Sequence, residues 1–289
     1  MPSGFGVFVE IPIKFWSMPA VFKYPADRSR VAVFAGIFAV DLTVYFLVDR
    51  PAWLLVYFVV GILPKGAACA FNHHHQHLQT FKVPLLNRAL EVMYALQTGV
   101  SSHTWVLHHS VGHHLNYLDQ DKDESRWMRK NRSIMGQIEY SFMTSITSYW
   151  RAWKVGKKYP KYRRVFLLMG LLTASLIAVL VWNRPLGGLV IFVVAPAFSL
   201  FGTAWATYAH HSTRSTDSHF VASTNVMQPL YNFVTGNLGY HTAHHYRPGV
   251  HWSKLREIHA KIADQIPADA YVDPGWPWSM FGRGNGAKA

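Results

Sequence analysis

Charged residues and cysteines are scarce in this sequence. Only 15% of its 289 residues are charged, against roughly 25% in soluble globular proteins, and this indicates a membrane protein. The single cysteine, Cys69, excludes a disulfide scaffold, a Cys-x-x-Cys zinc or redox motif and a protein-held iron–sulfur cluster, because each of these needs several thiolates. Glu-x-x-His and His-Glu-x-x-His motifs are also absent, which excludes the ferritin-like diiron architecture.

Four long apolar runs predict transmembrane helices. They cover residues 31–48, 53–71, 165–182 and 186–209. Each run approaches or exceeds the roughly 18 residues that cross a hydrocarbon core about 30 Å thick. Short turns join the runs into two hairpins. Because no signal peptide is evident at the N-terminus, an internal span is expected to direct insertion.

The distribution of basic residues predicts the topology. The turns inside the two hairpins hold one basic residue each, Arg50 and Arg184, whereas the central loop and both tails hold nearly all the others. By the positive-inside rule, the N-terminus, the central loop and the C-terminus face the cytoplasm. Within the spans, Asp41 is expected to have a structural partner, with a functional role as the alternative. Lys65 is expected to be tolerated only if the second helix projects beyond the membrane.

The net charge of +13 is concentrated in the central loop. Eleven Lys or Arg residues lie between Arg126 and Arg164, interleaved with Trp and Tyr, a pattern typical of a segment lying against anionic headgroups. Nucleic-acid binding is not expected, because no helix-turn-helix, RRM or zinc-finger pattern accompanies the charge.

The predicted fold is an all-α membrane protein with four transmembrane helices in two hairpins and a cytoplasmic helical cap. Amphipathic helices are expected over residues 85–100, 133–155 and 220–233, with a C-terminal helix over residues 253–262 whose N-cap is Ser253. The predicted organisation is a cytoplasmic N-terminal segment, a membrane domain and a disordered tail, over residues 1–30, 31–270 and 271–289 respectively.

Most of the 17 histidines fall in four clusters beside the spans. His73 and His77 are four residues apart, a spacing that places two imidazoles on one face of a helix. His109 and His113 repeat this spacing, and His114 points about 100° away around a helix, towards a second ion or the far side of the first. The candidate metal ligands are His73, His77, His109, His113, His114, one of His210 and His211, His241, His244 and His245. Nine nitrogen ligands exceed the four of a zinc site and suit two metal ions with open positions.

The order of these histidine clusters resembles that of the membrane-bound fatty acid desaturases and their hydroxylase relatives. The similarity covers roughly residues 31–263, and the third histidine box and its flank carry it most clearly: Asn237-Leu238-Gly239-Tyr240-His241-Thr242-Ala243-His244-His245, then Pro248, His251-Trp252-Ser253 and Leu255. In related enzymes a span ends in a motif similar to Asn-Tyr-x-Glu-His or Asn-Tyr-x-Gln-His. Aligned with Thr207-Tyr208-Ala209-His210-His211, the final histidine of this motif corresponds to His211. The sequence differs from many relatives in having three residues, not two, between His109 and His113, and in the doubled His210-His211.

The resemblance implies two iron ions that activate dioxygen and remove hydrogen from an unactivated methylene. Its partners would be a lipid acyl substrate, the membrane and a ferredoxin or cytochrome b5-type electron donor, since no HPGG-type haem module is fused to the chain. Hydrogen-bond acceptors are expected to orient the imidazoles. Asp119, Asp121, Asp123 and Glu124 are the candidates, with a solvated acidic turn as the alternative. Asn237 is a helix cap or a water-mediated ligand, and His74 and His75 are alternatives to His73. His103, His108, His219, His251 and His259 are expected not to bind metal.

The function predicted from the sequence is an O2-dependent fatty acyl desaturase of the bacterial inner membrane or the endoplasmic reticulum. A hydroxylase on the same centre is the alternative, but residues 72–77 do not match the HExxxH-like first box of alkane hydroxylases. A histidine-rich metal transporter is a more distant alternative, because the histidines lie outside largely apolar spans. The chain length, the position of the double bond and the acyl carrier are not predicted.

Overall fold

The computed structural model describes residues 21–275. This part of the chain is built from helices and contains no β-strand. Most of the predicted N-terminal segment and of the predicted disordered tail therefore lies outside the described residues, and the division into 1–30, 31–270 and 271–289 stays a prediction.

Four of the helices are long and apolar enough to cross a membrane. They are α1 (Asp27–Leu47), α2 (Pro51–His77), α5 (Pro160–Asn183) and α6 (Pro185–His211). Proline begins three of them, at a position where its missing N–H removes no helical hydrogen bond. The four predicted spans and the all-α membrane architecture are confirmed. The side of the membrane on which the remaining helices lie stays a prediction.

Helix α2 is longer than the hydrocarbon core of a bilayer is thick. Its 27 residues extend about 40 Å at 1.5 Å per residue, which exceeds a hydrocarbon core of about 30 Å. The last helical residue is His77, so the first histidine box continues the span without a break. Helix α6 is equally long and ends at His211. The two spans thus carry imidazoles to the same end of the bundle.

A buried ion pair ties α1 to α2. Lys65 Nζ donates to Asp41 Oδ2 at 2.8 Å, and the two side chains are 1% and 2% exposed. The Tyr57 hydroxyl donates to the other carboxylate oxygen. The prediction that Asp41 has a structural partner is confirmed. The same ion pair gives Lys65 a partner, and the position of Lys65 relative to the membrane stays a prediction.

Two amphipathic helices pack beside the spans, α3 (Pro84–Thr98) and α4 (Gln137–Gly156). Both helices were expected from the sequence, and their existence is confirmed. Helix α4 buries small polar residues, among them Ser141, Thr144 and Ser148. Its opposite face exposes an apolar row at a spacing of four residues, Ile138, Phe142, Ile146 and Trp150.

The C-terminal third departs from the sequence prediction in two places. Of residues 220–233, only the final part belongs to a helix, α7 (Pro229–Thr235), followed by α8 (His241–Tyr246) and α9 (Leu255–Ile262). Pro229 begins α7 and Gly236, at φ 63°, ends it, as expected for these residue types. Ser253 is not a helix cap, because its own N–H is capped by His251 Nδ1 at 3.3 Å in a 3-10 turn that precedes α9.

Candidate metal centre

The structure brings all nine predicted ligands together. Eight of them form two groups in which the ligand nitrogens lie within 4.8 Å of one another. The five-histidine group contains His73, His77, His109, His114 and His244, and the three-histidine group contains His113, His211 and His245. The ninth residue, His241, places its Nε2 2.9 Å from His211 Nε2. The assignment of these residues as ligands stays a prediction.

Helix α2 supplies the first pair. His73 and His77 lie one turn apart on the helix, and their Nε2 atoms are 3.1 Å apart. His73 Nε2 is also 2.8 Å from His109 Nε2. The expectation that the first box presents two imidazoles on one helical face is therefore confirmed.

The second box is arranged differently from the prediction. His109 and His113, expected to act together, fall into different groups. The cause is a π-helical turn over Val106–Val111, in which backbone bonds span five residues. His114 N–H donates to His109 O at 2.9 Å, so residues five apart share a face, and the Nε2 atoms of His109 and His114 are also 2.9 Å apart. His113 N–H also donates to His109 O, at 3.1 Å, so the pairing of His109 with His113 on one ion stays a prediction.

Gly112 permits this turn. Its N–H donates to Leu107 O at 3.0 Å, which completes another five-residue bond. A Cβ at this position would lie 2.5 Å from His108 O and 2.9 Å from Glu124 Cγ. Backbone atoms approach too closely to admit a side chain, so glycine is required here.

The structure separates the doubled histidine at the end of α6. His211 Nε2 lies 3.3 Å from His113 Nε2, within the three-histidine group. His210 has both nitrogens in hydrogen bonds, since Nδ1 donates to Thr224 O at 2.9 Å and Nε2 accepts from the Tyr231 hydroxyl at 3.0 Å. This geometry favours His211 over His210 as the ligand, in agreement with the alignment of the sequence motif.

The charge state of the imidazoles fits a metal site. Burial lowers the pKa of His109, His114, His241, His244 and His245 far below the usual value for histidine, and neighbouring histidines lower it further. These rings are therefore neutral at pH 7 and carry one lone pair each. Neither ring nitrogen of His245 has a hydrogen-bond partner within the described residues. Several imidazole lone pairs that face one another favour a bound metal cation. Imidazole is a suitable ligand for Fe, Zn, Cu and Ni.

One carboxylate orients a candidate ligand. His113 Nδ1 lies 2.8 Å from Asp123 Oδ1, and both side chains are buried. Among the four acidic candidates, Asp123 is therefore the hydrogen-bond acceptor that orients an imidazole. Asp119 and Asp121 instead form exposed ion pairs with Lys122 and Arg132, as expected of the solvated acidic turn.

The other acceptors around the site have no sequence signature. Ala222 O lies 3.3 Å from His211 Nδ1, and Ser110 Oγ lies 3.4 Å from His77 Nδ1. A backbone carbonyl can belong to any residue, and only the folded chain reveals which one faces an imidazole. Glu124, the remaining acidic candidate, has its carboxylate 3.8 Å from Lys154 Nζ.

The remaining histidines face other partners. His74 Nε2 donates to Thr235 O at 3.1 Å, and His75 contacts Thr80 Oγ1 at 2.9 Å. His251 Nε2 lies 3.0 Å from Asp27 Oδ1. His103, His219 and His259 contact Ser102, Tyr117 and Tyr271. His108 is buried, and its Nε2 has no partner within the described residues.

Asn237 follows α7 at φ 65°. Its backbone N–H donates to Asn232 O at 2.7 Å, and its side-chain amide donates to Trp252 O at 3.2 Å. The backbone of Asn237, and not its side chain, thus closes the end of the helix.

A cavity of about 300 Å³ adjoins the imidazoles. It lies between α2, α4 and α6, and its walls include His73, His109 and His241. Most of the wall away from the histidines is apolar, for example Leu63 and Phe198. The volume lies at the lower end of the range of roughly 300–1,000 Å³ for small-molecule sites.

Comparison with known proteins identifies the family. Neither the curated proteins nor the solved structures contain a match to this chain. The family model described as fatty acid desaturase matches residues 26–276, a range that contains the four spans, both histidine groups and the cavity. The chain therefore belongs to the fatty acid desaturase family of oxidoreductases.

Proposed function

We propose that this protein is a membrane-bound, O2-dependent fatty acyl desaturase. The observation that carries the proposal is the cavity between the spans, which is largely apolar and ends against His73, His109 and His241. An unbranched acyl chain in this cavity would lie beside the metal site with its methylenes shielded from water.

Two iron ions are the proposed cofactor. The five-histidine group and the three-histidine group would each hold one ion, with His241 as a further ligand beside His211. When bound, the two irons would supply the reduction of dioxygen and the removal of hydrogen from an unactivated methylene. The nitrogen-only donor set supports iron with positions left open for oxygen.

The surrounding residues would keep this chemistry selective. Asp123 accepts a hydrogen bond from the Nδ1–H of His113, which fixes the ring orientation and would leave Nε2 for the metal. His211 receives the same support from Ala222 O. Burial of His113, His241, His244 and His245 limits water access, and exclusion of water protects a reactive oxidant from side reactions.

The remaining features of the proposal concern topology and electron supply. We place the histidine groups on the cytoplasmic side of a bacterial inner membrane or the endoplasmic reticulum, because they lie on the side of the basic central loop. A ferredoxin or a cytochrome b5-type protein would deliver electrons. The exposed arginines and lysines of that loop suit an acidic carrier.

The first histidine box favours desaturation over hydroxylation. Alkane hydroxylases have an HExxxH-like first box, whereas residues 72–77 contain no glutamate. Hydroxylation on the same centre is the alternative outcome. Metal transport is disfavoured, because the intramembrane Asp41 and Lys65 neutralise each other in an ion pair and the histidine groups lie at the ends of the spans.

The mass of the product tests the reaction. The protein is expressed with a suitable electron donor and supplied with 18O-labelled dioxygen. The acyl product is expected to lack two hydrogens and to contain no labelled oxygen. A main product that has gained one labelled oxygen would refute desaturation and leave the metal-site proposal intact. Iron that moves across vesicles, instead of staying bound during turnover, would support transport.

A further inference from the structure

Two glycines form part of the cavity wall, one from each of two spans. Gly66 belongs to α2 and Gly202 to α6, and both line the cavity. A Cβ at either position would meet no heavy atom within 4 Å. Small residues follow on both helices, including Ala67 and Ala206. The cavity thus owes its width at this level to the missing side chains.

The cavity is open at the end that lies away from the imidazoles. There its lining residues Ile62, Leu63 and Phe198 are 38%, 56% and 54% exposed. At the other end, Trp105 and His108 line it and are buried. Within the described residues, therefore, the opening lies between α2 and α6 and the inner end lies at the metal site.

The position of this opening along the helices places it inside the bilayer. Leu63 lies twelve residues after Pro51, and Phe198 lies thirteen residues after Pro185. At 1.5 Å per residue these separations are about 18 and 20 Å. Both residues therefore lie within a hydrocarbon core of about 30 Å, at similar depth. The opening faces lipid tails and not water.

We infer that the acyl chain of a bilayer lipid enters the cavity sideways, free end first, between Gly66 and Gly202. This inference rests on the proposed function and specifies the source of its substrate. A chain that passes from lipid tails into an apolar cavity never crosses water and needs no polar guide. The two glycines make the cavity wide enough for the acyl chain. A larger residue at either position would block the path of the chain to the imidazoles.

Photo-crosslinking tests the route without turnover. The purified iron-loaded protein is reconstituted, without reductant, in phosphatidylcholine vesicles that contain phosphatidylcholine with a terminal diazirine on its palmitoyl chain. After illumination, labelled peptides are identified by mass spectrometry. In the wild-type protein the label is expected on the inner wall, at Ala70 and Trp105. Gly66→Leu and Gly202→Leu are each expected to abolish this labelling.

Two controls separate blockage from misfolding. Gly36 of α1 also has no heavy atom within 4 Å of an added Cβ but is not part of the cavity lining, so Gly36→Leu is expected to retain full labelling. Gly66→Ala and Gly202→Ala add only a methyl group and are expected to retain most of it. Leucine has a higher helix propensity than glycine, so none of these changes weakens its helix, and thermal unfolding verifies this.

The outcomes distinguish the route from the reaction. Inner-wall labelling that persists in both leucine variants would overturn the route, as would product formation at the wild-type rate in both. If the wild-type protein is labelled, both leucine variants are not, and no oxidised chain ever forms, the route stands and the proposed function fails.

Discussion

His109 and His114 are five residues apart in the sequence, and their Nε2 atoms are 2.9 Å apart. In an α-helix a separation of five residues turns two side chains well away from each other. The π-helical turn over Val106–Val111 instead brings side chains five residues apart onto the same face. His114 therefore lies in the five-histidine group, whereas the neighbouring His113 lies in the three-histidine group. One local change of helix type thus places two adjacent histidines in different histidine groups.

Gly112→Ala is expected to disrupt this turn. The added methyl would lie 2.5 Å from His108 O, and backbone cannot move away cheaply. We expect a loss of about 1–3 kcal/mol in the free energy of unfolding, as for other overpacked sites, together with reduced iron per chain. Thermal unfolding and metal analysis measure both. Gly249→Ala, where the new methyl meets no atom within 4 Å, is the control, and equal iron content in the two variants would contradict the role of the turn.

Asp123→Asn is expected to weaken metal binding. The amide retains the shape of the carboxylate but removes the charge that faces His113 Nδ1 at 2.8 Å. Loss of such a partner lowers metal affinity by about 10–100-fold in other sites. Competition with a chelator measures the change. Asp121→Asn, which removes only an exposed ion pair with Arg132, should bind iron as the wild type does, and a comparable loss there would show that Asp123 acts through general charge.

The doubled histidine of α6 can be resolved by two substitutions. His211→Ala is expected to lose iron and activity together, because its Nε2 belongs to the three-histidine group. His210→Ala is expected to retain measurable iron, because the His210 nitrogens bond to Thr224 and Tyr231. Metal analysis and product analysis of both proteins provide the test. The opposite pattern would exchange the two assignments.

The metal-free chain is expected to lose stability as pH falls below 7. Burial lowers the pKa of His103 and His259 to about 4 and that of His108 to about 3, whereas unfolded histidine has a pKa near 6.5. Between these values the unfolded chain binds protons that the folded chain does not. Its free energy of unfolding therefore falls by up to about 1.4 kcal/mol per histidine for each pH unit.

Thermal unfolding of chelator-treated protein from pH 7 to pH 5 measures this dependence. His259→Gln removes one of the titrating groups. It should lower the number of protons taken up on unfolding by up to about one, so the free energy of unfolding should depend less steeply on pH. Arg256→Gln, at an exposed position nearby, should leave the slope unchanged. A slope that is identical in His259→Gln and the wild type would contradict the assignment.

The topology is tested by labelling introduced cysteines. The native Cys69 is fully buried and should not react with the labelling reagent. Asp121→Cys, in the central loop, is expected to be protected from an impermeant reagent added outside the cell. Asn183→Cys, in the turn of the second hairpin, is expected to react. Labelling at position 121 from outside would reverse the proposed orientation of the metal site.

The sequence by itself determined the features that depend on one stretch of chain. Hydrophobic length defines the four spans wherever they pack. A spacing of four defines the His73–His77 pair, since both residues sit on one uninterrupted α-helix. Likewise, the prolines at residues 51, 160 and 185 begin their helices for local steric reasons.

The tertiary structure decided how separate segments meet. The choice of Asp123 over Asp119 and Asp121, and the division of His113 from His114, depend on how the π-helical turn and the following loop pack against the ends of α2 and α6. The same holds for the cavity, whose wall combines Gly66 of α2 with Gly202 of α6. Contacts between residues more than a hundred positions apart leave no periodic pattern in the sequence, so only the packed bundle reveals them.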